Sequence, residues 1–237
     1  MSDGEHPPRS LTDRIVLATG SARRIGATVL RRLHGLGMRV AIHYNASAQE
    51  AESLAAALND IRSDSAWAVG GNLVDAATPR RLIEGVVERF GQLDVLINNA
   101  SSFYPTPIGT IDEAAWDDLV GTNLKAPLFL SQAAAPYLRT VNGSIVNMVD
   151  IHAERPLRDH PVYCAAKAGL VMLTASLARD LGPEVRVNAI APGAILWPES
   201  GADDPGSQEK ILASVALERM GNPVSYTHLT LPTTSFV

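Results

Sequence analysis

Tyr163 and Lys167 stand four residues apart in a long, mostly apolar stretch. On a helix, positions i and i+4 share one face, so this spacing sets an ammonium beside a phenol. A nearby cation stabilises the phenolate and lowers the pKa of the phenol. Tyr163 is then expected to donate a proton more readily near neutral pH. The spacing alone is frequent in sequences and gains weight only from its surroundings. A second signal lies near the N-terminus, in Thr19-Gly20-Ser21-Ala22-Arg23-Arg24-Ile25-Gly26. This segment follows one apolar run and opens an amphipathic one. Gly20 permits a tight turn, and Gly26 permits close packing of a helix on a strand. The N–H groups of the helix start, at Arg23, Arg24, Ile25 and Gly26, favour a pyrophosphate. Arg24 occupies the place where dinucleotide folds often have a middle glycine. Its guanidinium could contact the pyrophosphate and also face a substrate.

The second strand decides the cofactor. Folds specific for NAD carry Asp or Glu at its end, to hold the ribose 2′-hydroxyl. Here the strand ends His43-Tyr44-Asn45-Ala46-Ser47, without a carboxylate. A 2′-phosphate would meet no repulsion, and His43, Asn45, Ser47 and Arg23 could donate to it. NADPH is therefore expected over NADH. Ser47 also suits a helix cap. Asn72-Leu73 follows the third strand, where an adenine amino group would sit. Asn98-Asn99-Ala100 closes the fourth strand at the carboxyl edge, where ligands bind in such sheets. Pro192-Gly193 follows the sixth.

The elements that must position these residues alternate regularly. Strands are expected at 15–19, 39–43, 66–69, 95–98, 144–149 and 185–190. Most are continuous Val/Ile/Leu/Ala runs, the mark of parallel strands covered on both faces. Helices are expected near 24–36, 48–62, 76–90, 112–122, 125–139 and 162–181, with a further one near 208–219. Gly35 and Gly37 are placed to stop the first helix. The series predicts an α/β fold: a Rossmann-like, doubly wound parallel sheet in a single domain. The 237 residues, 46% of them hydrophobic, suffice for one large α/β domain and are too few for two ordinary ones. Residues 1–12 read as a disordered lead-in, and 13–223 as the domain. The net charge of −5 argues against nucleic-acid and membrane-surface partners. No run of apolar residues of membrane-spanning length without charges occurs. One cysteine, Cys164, rules out an internal disulfide framework. The six histidines show no metal-ligand spacing. A cytoplasmic location is the default expectation.

Together, the glycine turn, Asn98-Asn99-Ala100, Tyr163-x-x-x-Lys167 and Pro192-Gly193 resemble the short-chain dehydrogenase/reductase family over roughly residues 13–222. The resemblance implies that Tyr163 is the catalytic acid and Lys167 its partner, holding the ribose beside the nicotinamide. Asn123, in Thr122-Asn123-Leu124, resembles the asparagine that supports a proton-relay water. Pro192 and Gly193 resemble the turn beside the nicotinamide. One position departs from the family: thirteen residues before Tyr163, where a serine is usual, stands Asp150. A serine hydroxyl can donate to a substrate carbonyl, whereas an ionised aspartate can only accept. Asp150 suits a substrate that presents N–H groups.

Three further segments resemble the pteridine reductases of this family. They are the Thr-Gly-x-x-x-Arg-x-Gly turn, Asn99-Ala100-Ser101-Ser102-Phe103-Tyr104-Pro105-Thr106-Pro107, and Ala191-Pro192-Gly193-Ala194-Ile195-Leu196-Trp197-Pro198-Glu199. The resemblance implies that Phe103 stacks a pterin ring against the nicotinamide. Ser101 and Arg24 would bond the polar edge of that ring, and Trp197 would belong to a substrate-side flap. Asn99, Ala100 and Ser101 would face the cofactor. His152 and His160 are candidates for the substrate entrance; Cys164, Trp67 and Trp116 read as packing residues.

The expected reaction is NADPH-dependent reduction of a dihydrobiopterin, dihydromonapterin or dihydrofolate type of substrate. The rivals are a carbonyl or 3-oxoacyl-thioester reductase, and a non-catalytic NADPH-binding regulator. The resemblance also implies a homotetramer. It further implies about thirty more residues after Pro223, with an amphipathic helix and a final strand. Residues 224–237 instead lack a helical apolar stripe and are broken by Pro232, so they read as an artefactual tail.

Overall fold

The computed structural model describes residues 10–192. The expected features in 1–9, at Gly193 and Trp197, in the helix near 208–219 and in the tail 224–237 lie outside the described residues. Six strands form one sheet: β1 (Ile15–Ala18), β2 (Arg39–Tyr44), β3 (Ala66–Gly70), β4 (Val95–Asn98), β5 (Ser144–Met148) and β6 (Arg186–Ile190). Their order in space is β3-β2-β1-β4-β5-β6. Every neighbouring pair is parallel. This order reverses between β1 and β4, which opens a crevice at their carboxyl ends.

The helices are α1 (Arg24–Gly35), α2 (Ala48–Ile61), α3 (Thr78–Phe90), α4 (Glu113–Val120), α5 (Ala126–Thr140) and α6 (Pro161–Leu181). Alternate residues of each strand serve opposite layers. Leu17, Leu96 and Ile145 join a core with Leu82, Val86, Leu130 and Leu138 of α3 and α5. Val16, Ala18, Val40 and Ile42 join a second core with Leu30, Leu54 and Leu58 of α1 and α2. Both faces of the central strands are therefore apolar, which explains their unbroken hydrophobic runs. Each fully buried Leu or Ile contributes about 1.5–3 kcal/mol by leaving water.

Four local features differ from expectation. Helix α1 runs through Gly35, and the left-handed turn that ends it falls at Gly37, with φ of 99°. Ser47 does sit at the N-cap of α2, but its hydroxyl makes no capping bond. The two helices expected at 112–122 and 125–139 are not separated by a loop. A single wide π-turn, Gly121–Lys125, joins α4 to α5, and such turns frequently lie at functional sites. Trp116 is not a packing residue: it is half exposed, whereas Trp67 packs edge-on against Phe90.

Among the described residues, α6 is the one helix long and apolar enough to cross a membrane by length and composition. It packs against β6 and the π-turn and carries Tyr163 and Lys167 inward, so its apolar character is accounted for by the core.

Candidate active site

The crevice holds a cavity of about 500 Å³. Gly20, Arg23, Arg24, Ile25, Gly26, His43, Asn45, Ser47, Asn72, Leu73, Asn99, Ala100 and Ser101 all line it. It opens on the N-terminus of α1, whose N-cap residue Arg23 makes no side-chain capping bond. Helix dipole, orphan N–H groups and two arginines together suit an anion.

The glycine turn is held by close approach. Gly20 has φ of 58°. A Cβ there would lie 2.8 Å from the Ala100 Cα, which also leaves no space for a side chain. A Cβ at Gly26 would lie 2.6 Å from the Ser21 Cα. Arg24 itself adopts φ of 55°, the left-handed conformation that glycine supplies in other nucleotide turns. Asn99 fastens the turn from the other side, donating from Nδ2 to the carbonyls of Thr19 and Gly20, both at 2.9 Å.

His43 requires a correction. Its Nδ1 accepts from the Gly20 N–H at 3.1 Å, so the ring proton resides on Nε2 and donates to the Gly71 carbonyl at 2.9 Å. Burial lowers its pKa, against a smaller raising effect of the Gly71 bond. Both nitrogens are engaged, and neither can donate to a phosphate as the sequence reading expected. His43 instead ties the glycine turn to the end of β3. Asn98 is also purely internal: its Nδ2 donates to Asn147 Oδ1 at 2.8 Å, and Asn147 donates in turn to Thr174.

At the start of α6 the fold brings four residues together. The Tyr163 hydroxyl donates to Asp150 Oδ2 at 2.7 Å. Phe103 lies edge-on to the Tyr163 ring, with centroids 4.8 Å apart. The Lys167 Nζ lies 5.7 Å from the Tyr163 ring centroid and donates to the Met148 carbonyl at 2.9 Å. The expected lowering of the tyrosine pKa is reversed here. Burial raises the Tyr163 pKa far above the usual phenol range, the Asp150 carboxylate adds to this, and the interaction with Ser101 opposes it only in part. The reason is first that burial strips water from a phenolate, and second that the Asp150 carboxylate accepts the phenolic hydrogen bond and repels a phenolate. Burial brings Lys167 down to about 8, with Asp150 pulling the other way.

Asn123 sits in the π-turn, almost fully buried. Its amide donates to the carbonyls of Ser102 and Leu119, both at 2.9 Å, and accepts from the Ser101 hydroxyl at 2.7 Å. In this structure it clamps the 101–102 loop. Ser102 adds a bond to Asp118 at 3.2 Å. Phe103 stacks face to face on His160, with ring centroids 4.8 Å apart. Cys164 is buried and accepts from the Leu157 N–H, as a packed thiol would. Pro192 does not line the cavity.

The sequence reading missed Ala22, Tyr44, Ala46, Ser102, Asp118 and Thr122 on the cavity wall. Asp118 and Thr122 were recoverable in principle, because they stand four apart on one face of α4 leading into the π-turn. Among the described residues no group of three His, Cys, Asp or Glu is placed to hold a metal.

A doubly wound sheet with a phosphate-seeking crevice and a Tyr-Lys helix beside it defines a nucleotide-dependent oxidoreductase. Residues 14–203 match the family model described as short chain dehydrogenase, and the chain belongs to that family. It is 36% identical to pteridine reductase 1 of Leishmania tarentolae, over 80% of this chain and 79% of that protein. It is 35% identical to the 3-oxoacyl-[acyl-carrier-protein] reductase FabG of Staphylococcus aureus, over 86% of this chain and 84% of that protein. The crystal structure of FolM alternative dihydrofolate reductase 1 from Brucella canis, complexed with NADP, superposes with a TM-score of 0.84 at 32% identity. That match covers 92% of this chain and 86% of the other.

Proposed function

We propose that this protein reduces a C=N bond of a pterin, of the dihydrobiopterin, dihydromonapterin or dihydrofolate type, with NADPH. The observation that carries the reading is Asp150 in direct bond to Tyr163, beside the half-exposed ring of Phe103. A carboxylate accepts hydrogen bonds and cannot donate them while ionised, which suits the N–H groups of a pterin. A flat aromatic face suits its planar ring.

The cofactor is NADPH. The cavity fits it by the donor chemistry of its wall: the uncapped start of α1, Arg23 and Arg24 for the phosphates, and Asn45 and Ser47 at the end of β2. The family match and the NADP complex of the FolM structure support the same choice. When bound, the cofactor supplies a hydride to the ring carbon. Tyr163 holds the proton destined for the adjacent nitrogen, and its raised pKa keeps it protonated. Asp150 orients that hydroxyl, and Lys167 supplies positive charge on the ring side of Tyr163. Asn123 fixes the loop that carries Ser101 and Phe103 toward the substrate, and Arg24 and Ser101 bond its polar edge.

The FabG likeness favours a second reading, a 3-oxoacyl-thioester reductase. Asp150 opposes it, because a ketone oxygen needs a donor. NADPH oxidation with dihydrobiopterin, dihydrofolate and an acetoacetyl thioester in parallel separates the two. The pterin reading expects turnover with at least one of the first two and little with the third. Turnover of the thioester alone would replace it.

A further inference from the structure

We propose that Glu50 sets the strength of NADPH binding by competing with the ribose 2′-phosphate for Arg23. The inference rests on NADPH as the cofactor and is independent of the substrate. Four residues were candidates to hold the 2′-phosphate. His43 has both ring nitrogens engaged within the protein. Asn45 and Ser47 line the cavity but are neutral. Arg23 is the charged member of the set, and in this structure its guanidinium lies 3.8 Å from Glu50 Oε1. Both side chains are about half exposed, at 53% and 46%, so the pair can open at little cost.

Glu50 has an alternative partner. Ser47-x-x-Glu50 has the spacing of a capping box, in which the serine hydroxyl bonds the third helical N–H and the glutamate reaches back to the N–H of the serine. Here the box is open. Ser47 occupies the N-cap with φ of −95° and ψ of 55°, and its side chain makes no capping bond. Glu50 is turned toward Arg23 instead. When a 2′-phosphate enters, Arg23 turns to it, a stronger and bidentate partner. Glu50 then swings back toward the Ser47 N–H and the positive end of α2. No bond is made or broken covalently, and the exchange trades one ion pair for another plus a cap. NADH, lacking the phosphate, offers Arg23 no replacement and leaves the pair closed. Glu50 thus reduces NADPH affinity without touching the cofactor.

The test is a double-mutant cycle on the full chain, read as dissociation constants for NADPH, NADH and adenosine 2′,5′-bisphosphate. Glu50→Gln keeps the size and can still reach the Ser47 N–H, but releases Arg23. It should tighten NADPH and the bisphosphate by about two- to fivefold, the range of an exposed ion pair, and leave NADH unchanged. Arg23→Ala should weaken NADPH and the bisphosphate. In the Arg23→Ala background, Glu50→Gln should have no further effect. Raising the salt concentration should shrink the Glu50→Gln effect. Equal gains for NADH and NADPH, a loss of NADPH affinity, or a Glu50→Gln effect that persists without Arg23 would each overturn the proposal. A wild-type protein with equal affinity for the two cofactors would instead defeat the NADPH assignment on which it rests. Unfolding temperatures of the variants separate a lost helix cap from a changed site: a cap role alone lowers stability with no change in cofactor ratio.

Discussion

At the scale of single residues, protonation states carry the account. Lys167 is buried and drawn down to about 8, first by desolvation, with Asp150 opposing. Its ammonium is present below that pH and lost above it. The kcat/KM for a pterin should therefore fall as pH rises through about 8, since this parameter reports groups of the free enzyme. Lys167→Arg, which keeps its charge, should move the break upward; a flat profile to pH 9.5 in the wild type would contradict the role. His43 gives a second expectation. Removing its ring leaves the Gly20 N–H and Gly71 carbonyl unmatched, at about 1–3 kcal/mol. His43→Ala should weaken NADPH and NADH alike, by roughly tenfold or more in titrations. A loss confined to NADPH would mean that His43 binds the 2′-phosphate after all.

At the scale of elements, close approach is decisive. Helix α1 meets the glycine turn so tightly that a methyl at Gly26 would stand 2.6 Å from Ser21 Cα and 2.8 Å from Asn99 Nδ2. Gly26→Ala should cost about 1–3 kcal/mol by overpacking and lower the calorimetric Tm. Gly35→Ala, at the far end of the same helix, meets nothing within 4 Å. It should be neutral or stabilising by up to about 1 kcal/mol. Equal effects of the two would refute the packing argument. The strands and most helices were legible in the sequence because both faces of the sheet are covered, so strand residues are apolar without alternation. The π-turn was not, because Gly121-Thr122-Asn123 reads as a helix end and the extra residue leaves no compositional trace. The inward turn of His43 was hidden for a related reason: its partners are backbone groups of Gly20 and Gly71, remote in sequence. The Tyr163–Asp150 bond was foreshadowed only by the thirteen-residue interval, and the sign of the tyrosine shift depended on burial, which spacing does not reveal.

At the scale of the whole molecule, Leu128 and Phe129 on α5 and Val171 and Met172 on α6 are substantially exposed. These helices touch each other. The homotetramer that the sequence resemblance implies would need exposed apolar side chains of this kind to cover. Phe129→Glu combined with Met172→Glu should lower the sedimenting mass without lowering NADPH affinity. An unchanged mass, or a wild type that sediments as a monomer, would remove that assembly from the account.

The choice of a carboxylate over a hydroxyl at position 150 underlies the whole functional reading. The most direct measurement is kcat/KM for dihydrobiopterin and for an acetoacetyl thioester, each with the wild type and with Asp150→Ser. The account predicts that the wild type favours the pterin. It predicts that the serine variant loses pterin turnover by about 10²-fold or more, the scale of a positioned acid–base group, while thioester reduction holds or rises. A serine variant that reduces the pterin as fast as the wild type would contradict it.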